Sequence, residues 1–190
     1  VPIRLQARNK APDFEVKDIF GKNISLYSKR GSLVLLSFYR QTTFPPCHFH
    51  FRVKQILKTR PGCQERLKFI AVFESEAEPI RKHIYPECNL PFSIIADPKA
   101  NLFRLYKVDL PRWQTLIAML RPQKTTHPSI PNYRQPINCA PNYTIDMLTK
   151  RLPADFLIMA DGKIEIVHYG QNDCDYLPFS IIEHCLGNTK

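Results

Sequence analysis

What the chain lacks narrows its role first. No apolar run approaches the ~20 residues that a membrane-spanning helix needs, and Val1 to Lys10 carries no apolar stretch of the signal-peptide kind. The expected compartment is the cytoplasm, with export and prior removal of a leader as the alternative, because residue 1 is not methionine. No two of the six cysteines (Cys47, Cys63, Cys88, Cys139, Cys174 and Cys185) stand in C-x-x-C spacing, and no set has the spacing of a zinc finger or knuckle. No internal repeat is visible. Although the 27 basic residues exceed the 17 acidic ones and give a formal charge of +10, no block of five or six like charges and no aromatic-plus-basic RNA motif occurs. The excess is spread over short groups such as Lys29-Arg30, Lys54/Lys58/Arg60 and Lys150-Arg151. Nucleic acid is therefore not the expected partner, and a basic solvated surface accounts for the charge.

What is present reads as one domain over residues 1–190. A hydrophobic share of 44% at this length can bury a core without disulfide staples. Asp13–Asp18 alternates apolar and charged residues, Phe20-Gly21-Lys22-Asn23 turns the chain, and Ile24-Ser25-Leu26 follows, which predicts two short strands. Ser32–Tyr39 is a continuous apolar run of the length of a strand covered on both faces. After Pro45-Pro46 the period becomes helical (Phe49, Val53, Ile56, Leu57) until Pro61-Gly62 ends it. Leu67–Phe73 and Phe92–Ala96 predict strands, and Glu76–Ile84 and Ala100–Tyr106 predict helices. This alternation implies right-handed crossovers and a largely parallel core. Trp113, Leu116, Ile117 and Leu120 mark one face of another helix. Residues 121–143 carry five prolines and few aliphatic residues, so a Pro-rich insertion is expected at about 121–145. Asp161-Gly162 between two apolar segments signals a hairpin, and a last helix is expected over 178–186.

The chemistry is expected where a strand ends and a helix begins, at Tyr39-Arg40-Gln41-Thr42-Thr43-Phe44-Pro45-Pro46-Cys47. A cysteine in the first turn of a helix meets unpaired backbone N–H groups and the positive end of the macrodipole. Both favour the nucleophilic thiolate. The competing reading is a small inert residue packing the helix on the sheet. Cys47-His48-Phe49-His50 does not make a metal site, because neighbours one and two apart on a helix point about 100° and 200° apart. His83, His127, His168 and His184 have no helpful spacing. No metal and no organic cofactor is expected.

Ala11-Pro12-Asp13-Phe14, Phe38-Tyr39-Arg40, Cys47, Phe92–Pro98, Leu152–Ile158 and Asp161–Ile164 occur in this order. The set resembles the alkyl hydroperoxide reductase/thiol-specific antioxidant family, specifically its peroxiredoxin-like members, over most of residues 11–186. The resemblance implies an α/β thioredoxin-like three-layer sandwich. It would have a central mixed sheet of about five strands, helices on both faces and an N-terminal β-hairpin. It implies a thiol-dependent oxidoreductase that reduces peroxides or exchanges disulfides through Cys47, with an external thiol reductant as partner and a homodimer as an allowed assembly. It also implies a cis-proline at Pro153 facing the cysteine. Arg40 and Asp155, at strand ends bordering the same crevice, are candidates to support a thiolate (Arg40) and to relay a proton or raise the thiol pKa (Asp155); the competing reading is a structural or solvated role for each, and the arginine of peroxiredoxins proper has no secure match here. The departure is Phe44, where peroxiredoxin-like relatives carry cysteine and peroxiredoxins proper carry threonine. Cys139 and Cys174 are the candidates to resolve an oxidised Cys47 in its place, while Cys63 and Cys185 look structural. The alternative is a catalytically degenerate thioredoxin-fold protein that binds or regulates, with Phe44-Pro45-Pro46 as an apolar lip.

Overall fold

In the computed structural model the described residues are 4–39, 47–57, 66–83, 92–108, 151–170 and 175–188. All seven residues of Leu33–Tyr39 are buried, and this strand, β3, is the centre of a five-stranded sheet ordered β5-β4-β3-β6-β7. Leu67–Phe73 (β4) and Ser93–Ala96 (β5) run parallel to it on one side. Ala154–Ile158 (β6) and Ile164–Tyr169 (β7) complete the other side in antiparallel register. The parallel half is the one joined by long connections, and the antiparallel half is joined by the Asp161-Gly162 turn, where Gly162 sits at φ 84°. The expected mixed sheet of about five strands is present: β5, β4 and β3 form the parallel part that the alternation implies, and the Asp161-Gly162 turn, too short for a crossover, makes β6 and β7 antiparallel.

Side chains of the sheet alternate between two cores. Val34, Leu36 and Phe38 join Ile70, Val72, Phe156 and Ile164 on one face, covered by Leu102, Phe103 and Tyr106 from a short helix and its end. The N-terminal hairpin, Glu15–Lys17 (β1) and Asn23–Ser25 (β2), lays Phe14, Ile24 and Leu26 on the same core. On the opposite face Leu35, Tyr39, Phe69 and Leu157 receive Phe49, Val53 and Ile56 of helix α1 (Cys47–Leu57). Ile80 of α2 (Ala77–His83) and Ile182 and Leu186 of α4 (Phe179–Asn188) also pack there. The helix on the first face is α3, Asn101–Leu105. A register shift at Leu157/Ile158 puts Ile164 and Ile166 in different cores although both have even numbers.

Both expected central strands and the two hairpins stand where the residue pattern put them, and the helices expected over 76–84, 100–106 and 178–186 agree within two residues at the ends. Tyr27–Lys29 forms a 3-10 turn that the pattern did not announce. Arg8 to Ala11 hydrogen-bonds along the start of β7: Arg8 N–H donates to Ile164 O at 2.7 Å, and Asn9 O accepts from Ile164 N–H at 2.9 Å. These bonds cover the outer edge of β7 at its start. The helix expected around Trp113 and the insertion at 121–145 lie outside the described residues.

The end of the sheet at which β3, β4 and β5 finish is fixed by aromatic packing. Phe38 meets Phe103, Tyr106 and Phe156 at 5.0, 5.4 and 5.8 Å between ring centres. On the other face Tyr39 stacks on Phe73 at 5.0 Å and meets Phe49 edge-on at 5.4 Å. Asp97, just beyond β5, caps α3: its Oδ1 accepts from Asn101 N–H at 2.8 Å and its Oδ2 from Leu102 and Phe103 N–H at 2.8 and 3.3 Å. Ala100, the residue before the helix, is left-handed at φ 53°, so side-chain capping is what brings the chain into this helix. Asp97→Ala leaves three buried-end donors without that acceptor. We expect a loss of about 1–3 kcal/mol in urea denaturation, with a smaller loss for Asp97→Asn, which keeps one good acceptor; equal stability of Asp97→Ala and wild type would show that the cap contributes nothing.

Candidate active site

Cys47 is the first residue of α1. Two residues on, Phe49 packs against Tyr39 and Phe73, the last residues of β3 and β4. The start of α1 therefore lies over the C-terminal edge of the parallel strands, the edge at which helix N-termini and unpaired amides gather in open α/β sheets. Pro153 lies at the same edge, because its neighbour Ala154 pairs with Phe38 in the β3–β6 register. Asp155 follows one residue later, opposite Ser37 in the same register. Arg40, Phe44, Cys139 and Cys174 lie outside the described residues.

The expected cis bond at Pro153 is corrected: no described peptide bond is cis. Trans is the lower-energy X–Pro isomer by about 0.5–1 kcal/mol. In this form the Pro153 carbonyl accepts from Gly170 N–H at 2.8 Å, tying the entry of β6 to the exit of β7. Gly170 is required there by space. A Cβ on it would stand 2.5 Å from the Asp175 carbonyl oxygen and 2.9 Å from Pro153.

Asp155 is fully buried and is not available as an unengaged base. Its Oδ2 accepts from Arg52 Nη2 at 3.0 Å and from Leu177 N–H at 2.7 Å. Arg52 comes from the second turn of α1, and its side chain is 5% exposed. Leu177 belongs to the segment 175–178 that leads into α4. One carboxylate therefore holds the Cys47 helix and this segment to the sheet. The sequence reading named Asp155 but missed Arg52; an arginine in a helix reads as solvated, and a partner 103 positions away leaves no local signal. Burial pushes the Tyr39 phenol well above its ordinary value of 10, although Arg52 opposes the shift. It stays protonated and keeps a proton to donate.

His168, set aside by sequence reasoning for want of spacing, also belongs to this region. It pairs with Asp155 in the β6–β7 register, and its Nε2 lies 3.0 Å from Asp175 Oδ1. The hydrogen bond to Asp175 raises its pKa above 6.5 against the opposing effect of burial, with the charges of Asp175 and Asp155 adding to the rise. At the rim, Arg151 is ion-paired with Glu74, just past β4. Cys185 packs beside the α1-side core and its thiol is pushed up by burial, in keeping with a structural role. Among the described residues no group of three or more His, Cys, Asp or Glu side chains could hold a metal ion, and no helix is long and apolar enough to cross a membrane. A cavity of about 420 Å³ bounded by Lys22, Lys29, Ile56 and Phe92 opens at the opposite end of the sheet and touches none of these groups.

The strand order, the helix α1 packed on one face of the sheet and the antiparallel β6–β7 pair define a thioredoxin-like α/β domain. The family model described as AhpC/TSA matches residues 7–167, and the chain belongs to that family. Solved structures agree on the fold. A thiol peroxidase from Chromobacterium violaceum is 13% identical with a TM-score of 0.64, over 97% of this chain and 88% of that one. Peroxidoxin BcpB from Mycobacterium tuberculosis is 14% identical at 0.59, over 97% and 96%. The thioredoxin domain of a thiol-disulfide oxidoreductase from Bacteroides vulgatus is 16% identical at 0.54, over 96% and 99%. At these identities the likeness is one of fold. No curated protein sequence matches the chain.

Two outcomes test the electrostatics. Removing one partner of a buried ion pair strands the other, so Asp155→Ala and Arg52→Ala each lose about 3–5 kcal/mol by urea denaturation, and Arg52→Met/Asp155→Leu recovers much of that loss. Simple addition of the two single losses would mean they do not act as a pair. For His168 the folded pKa is raised, so its stabilisation is complete below the unfolded value of about 6.5 and fades as pH rises through the folded value. The Tm gap between wild type and His168→Gln is expected to be wider at about pH 5.5 than at about pH 9; a gap independent of pH refutes the assignment.

Proposed function

We propose that the chain is a thiol-dependent oxidoreductase in which Cys47 attacks a peroxide or a disulfide. The observation that carries the reading is the place of Cys47 as the first residue of a helix that starts over the C-terminal edge of the sheet, in a chain of the AhpC/TSA family. Backbone amides and the helix dipole there favour thiolate. With a peroxide, the sulfur attacks one oxygen and the O–O bond breaks. The sulfur is oxidised to sulfenic acid, and the other oxygen leaves as an alcohol or water after protonation. An external thiol then reduces the sulfenic acid, or Cys139 or Cys174 condenses with it. Pro153 borders the substrate groove and Arg40 supports the thiolate. Phe44 removes the cysteine or threonine that relatives use, so turnover is weak. The proposal takes residues 1–190 as one cytoplasmic domain with the Pro-rich insertion, able to form a homodimer.

A scaffold that has discarded turnover is the second reading, and Phe44 is what favours it. Thiol titration separates the two. A Cys47 with an alkylation midpoint well below the ordinary 8.5 supports chemistry, and an inert Cys47 supports the scaffold. In turnover assays Cys47→Ser is expected to fall to the uncatalysed background with both peroxide and disulfide substrates, while Phe44→Cys gains disulfide exchange. Activity retained by Cys47→Ser would remove the assignment.

A further inference from the structure

Four polar atoms buried beneath α1 have no hydrogen-bond partner among the described residues: Ser37 Oγ, Tyr39 Oη, Arg52 Nη1 and Asp155 Oδ1. They are neighbours. Ser37 and Asp155 are opposite one another in the β3–β6 register. Tyr39 lies two residues from Ser37 on the same face, and Arg52 bonds Asp155 at 3.0 Å through its other nitrogen. Ser37 and Arg52 stand close enough to the Tyr39 hydroxyl for each to draw its pKa down, Arg52 also through its charge, yet neither meets it in full hydrogen-bond geometry. Phe49, Tyr176 and Phe73 enclose the Tyr39 ring at 5.4, 5.3 and 5.0 Å, so bulk solvent does not serve these groups. Four orphans in one spot would cost about 1–3 kcal/mol each, too much for a domain whose net stability is about 5–15 kcal/mol.

We propose that Ser37, Tyr39, Arg52 and Asp155 form an internal hydration site that seats a water molecule between α1 and the sheet. The donor and acceptor count selects this ligand. Arg52 Nη1 and the Tyr39 hydroxyl donate into its two lone pairs, and its two hydrogens go to Asp155 Oδ1 and Ser37 Oγ, which satisfies all four atoms at once. A cation is opposed by Arg52 and an anion by Asp155. The water extends the Arg52–Asp155 bond into a polar joint that fixes the height of α1 above β3. Resting on the reading of Cys47 as the reacting thiol, that joint also sets the start of the helix that Cys47 opens.

The sign of a stability change tests the site. If the atoms are dry, Tyr39→Phe and Ser37→Ala each remove an orphan and raise Tm. If they share a water, each variant strips it of a partner and lowers Tm, and the double variant Ser37→Ala/Tyr39→Phe loses less than the sum because one water is involved. We expect the second pattern, together with an ordered water about 2.7–3.2 Å from at least three of the four atoms in a high-resolution crystal structure. Unchanged or raised Tm in both single variants, or direct bonds among the four groups, overturns the site. The coupling to α1 predicts that Tyr39→Phe shifts the pH midpoint of Cys47 alkylation, and an unmoved midpoint overturns that coupling. A wild-type Cys47 inert to alkylation would instead sink the functional reading, leaving the Tm signs and the crystallographic water to decide the hydration site by themselves.

Discussion

Taking a carboxylate out of water into a sheet face costs several kcal/mol unless its charge is matched and its oxygens are bonded. Asp155 meets that requirement only because α1 brings Arg52 and the segment 175–178 brings the Leu177 amide to the same oxygen. The constraint runs in both directions. β6 cannot bury Asp155 without the two other elements in place, and they cannot sit elsewhere without stranding a charge. Three parts of the chain separated by 103 and 22 positions are thereby made to arrive together. Such pairing adds specificity more surely than stability, since an apolar replacement would fill the same space without the desolvation penalty.

The two faces of the sheet are consequently different in kind. The face toward α3 and the hairpin is a dry aromatic core in which Phe38, Phe103, Tyr106 and Phe156 interlock. The Tyr106 hydroxyl there is satisfied by the Pro12 carbonyl at 2.6 Å. The face toward α1 is packed by apolar side chains from Leu33 to Tyr39, but it also holds buried polar atoms at Ser37, Tyr39, Arg52 and Asp155. The second face carries the polar groups: the buried Arg52–Asp155 pair, the His168–Asp175 pair and the Tyr39 hydroxyl.

The fold was legible in the residues because burial on both faces writes itself as continuous apolar runs. Leu33–Tyr39 and Leu67–Phe73 needed no partner to be recognised as central strands, and Asp161-Gly162 marked its own turn. The site was legible only in part. Cys47 and Asp155 could be picked out, but what Asp155 does depends on Arg52, which lies among polar residues of α1 and carries no periodic sign of being buried. His168 shows the same limit, since its partner Asp175 is reached across a strand end rather than along a helix face. The cis isomer expected at Pro153 rests on family likeness alone, and the bond is trans. Local pattern encodes elements; long-range polar pairing does not appear in it.

These pairings bear on what could activate Cys47. A helix start stabilises an anion by about 0.3–1 kcal/mol, and about 2 in favourable buried settings. Since one pKa unit corresponds to about 1.4 kcal/mol, the dipole alone would bring a thiol of 8.5 to no lower than about 7. Stronger activation needs a cation close by. Arg52 is committed to Asp155 and Arg151 to Glu74, so each of these described arginines already carries a carboxylate. Under the proposed reading the burden therefore falls on Arg40, the residue that follows Tyr39 out of β3. Under the same reading, a phenylalanine at position 44 in place of a cysteine would bear on a different step, the resolution of an oxidised sulfur. Attack and resolution are thus decided by different residues, and a chain that kept the first while losing the second would accumulate an oxidised Cys47 rather than turn over.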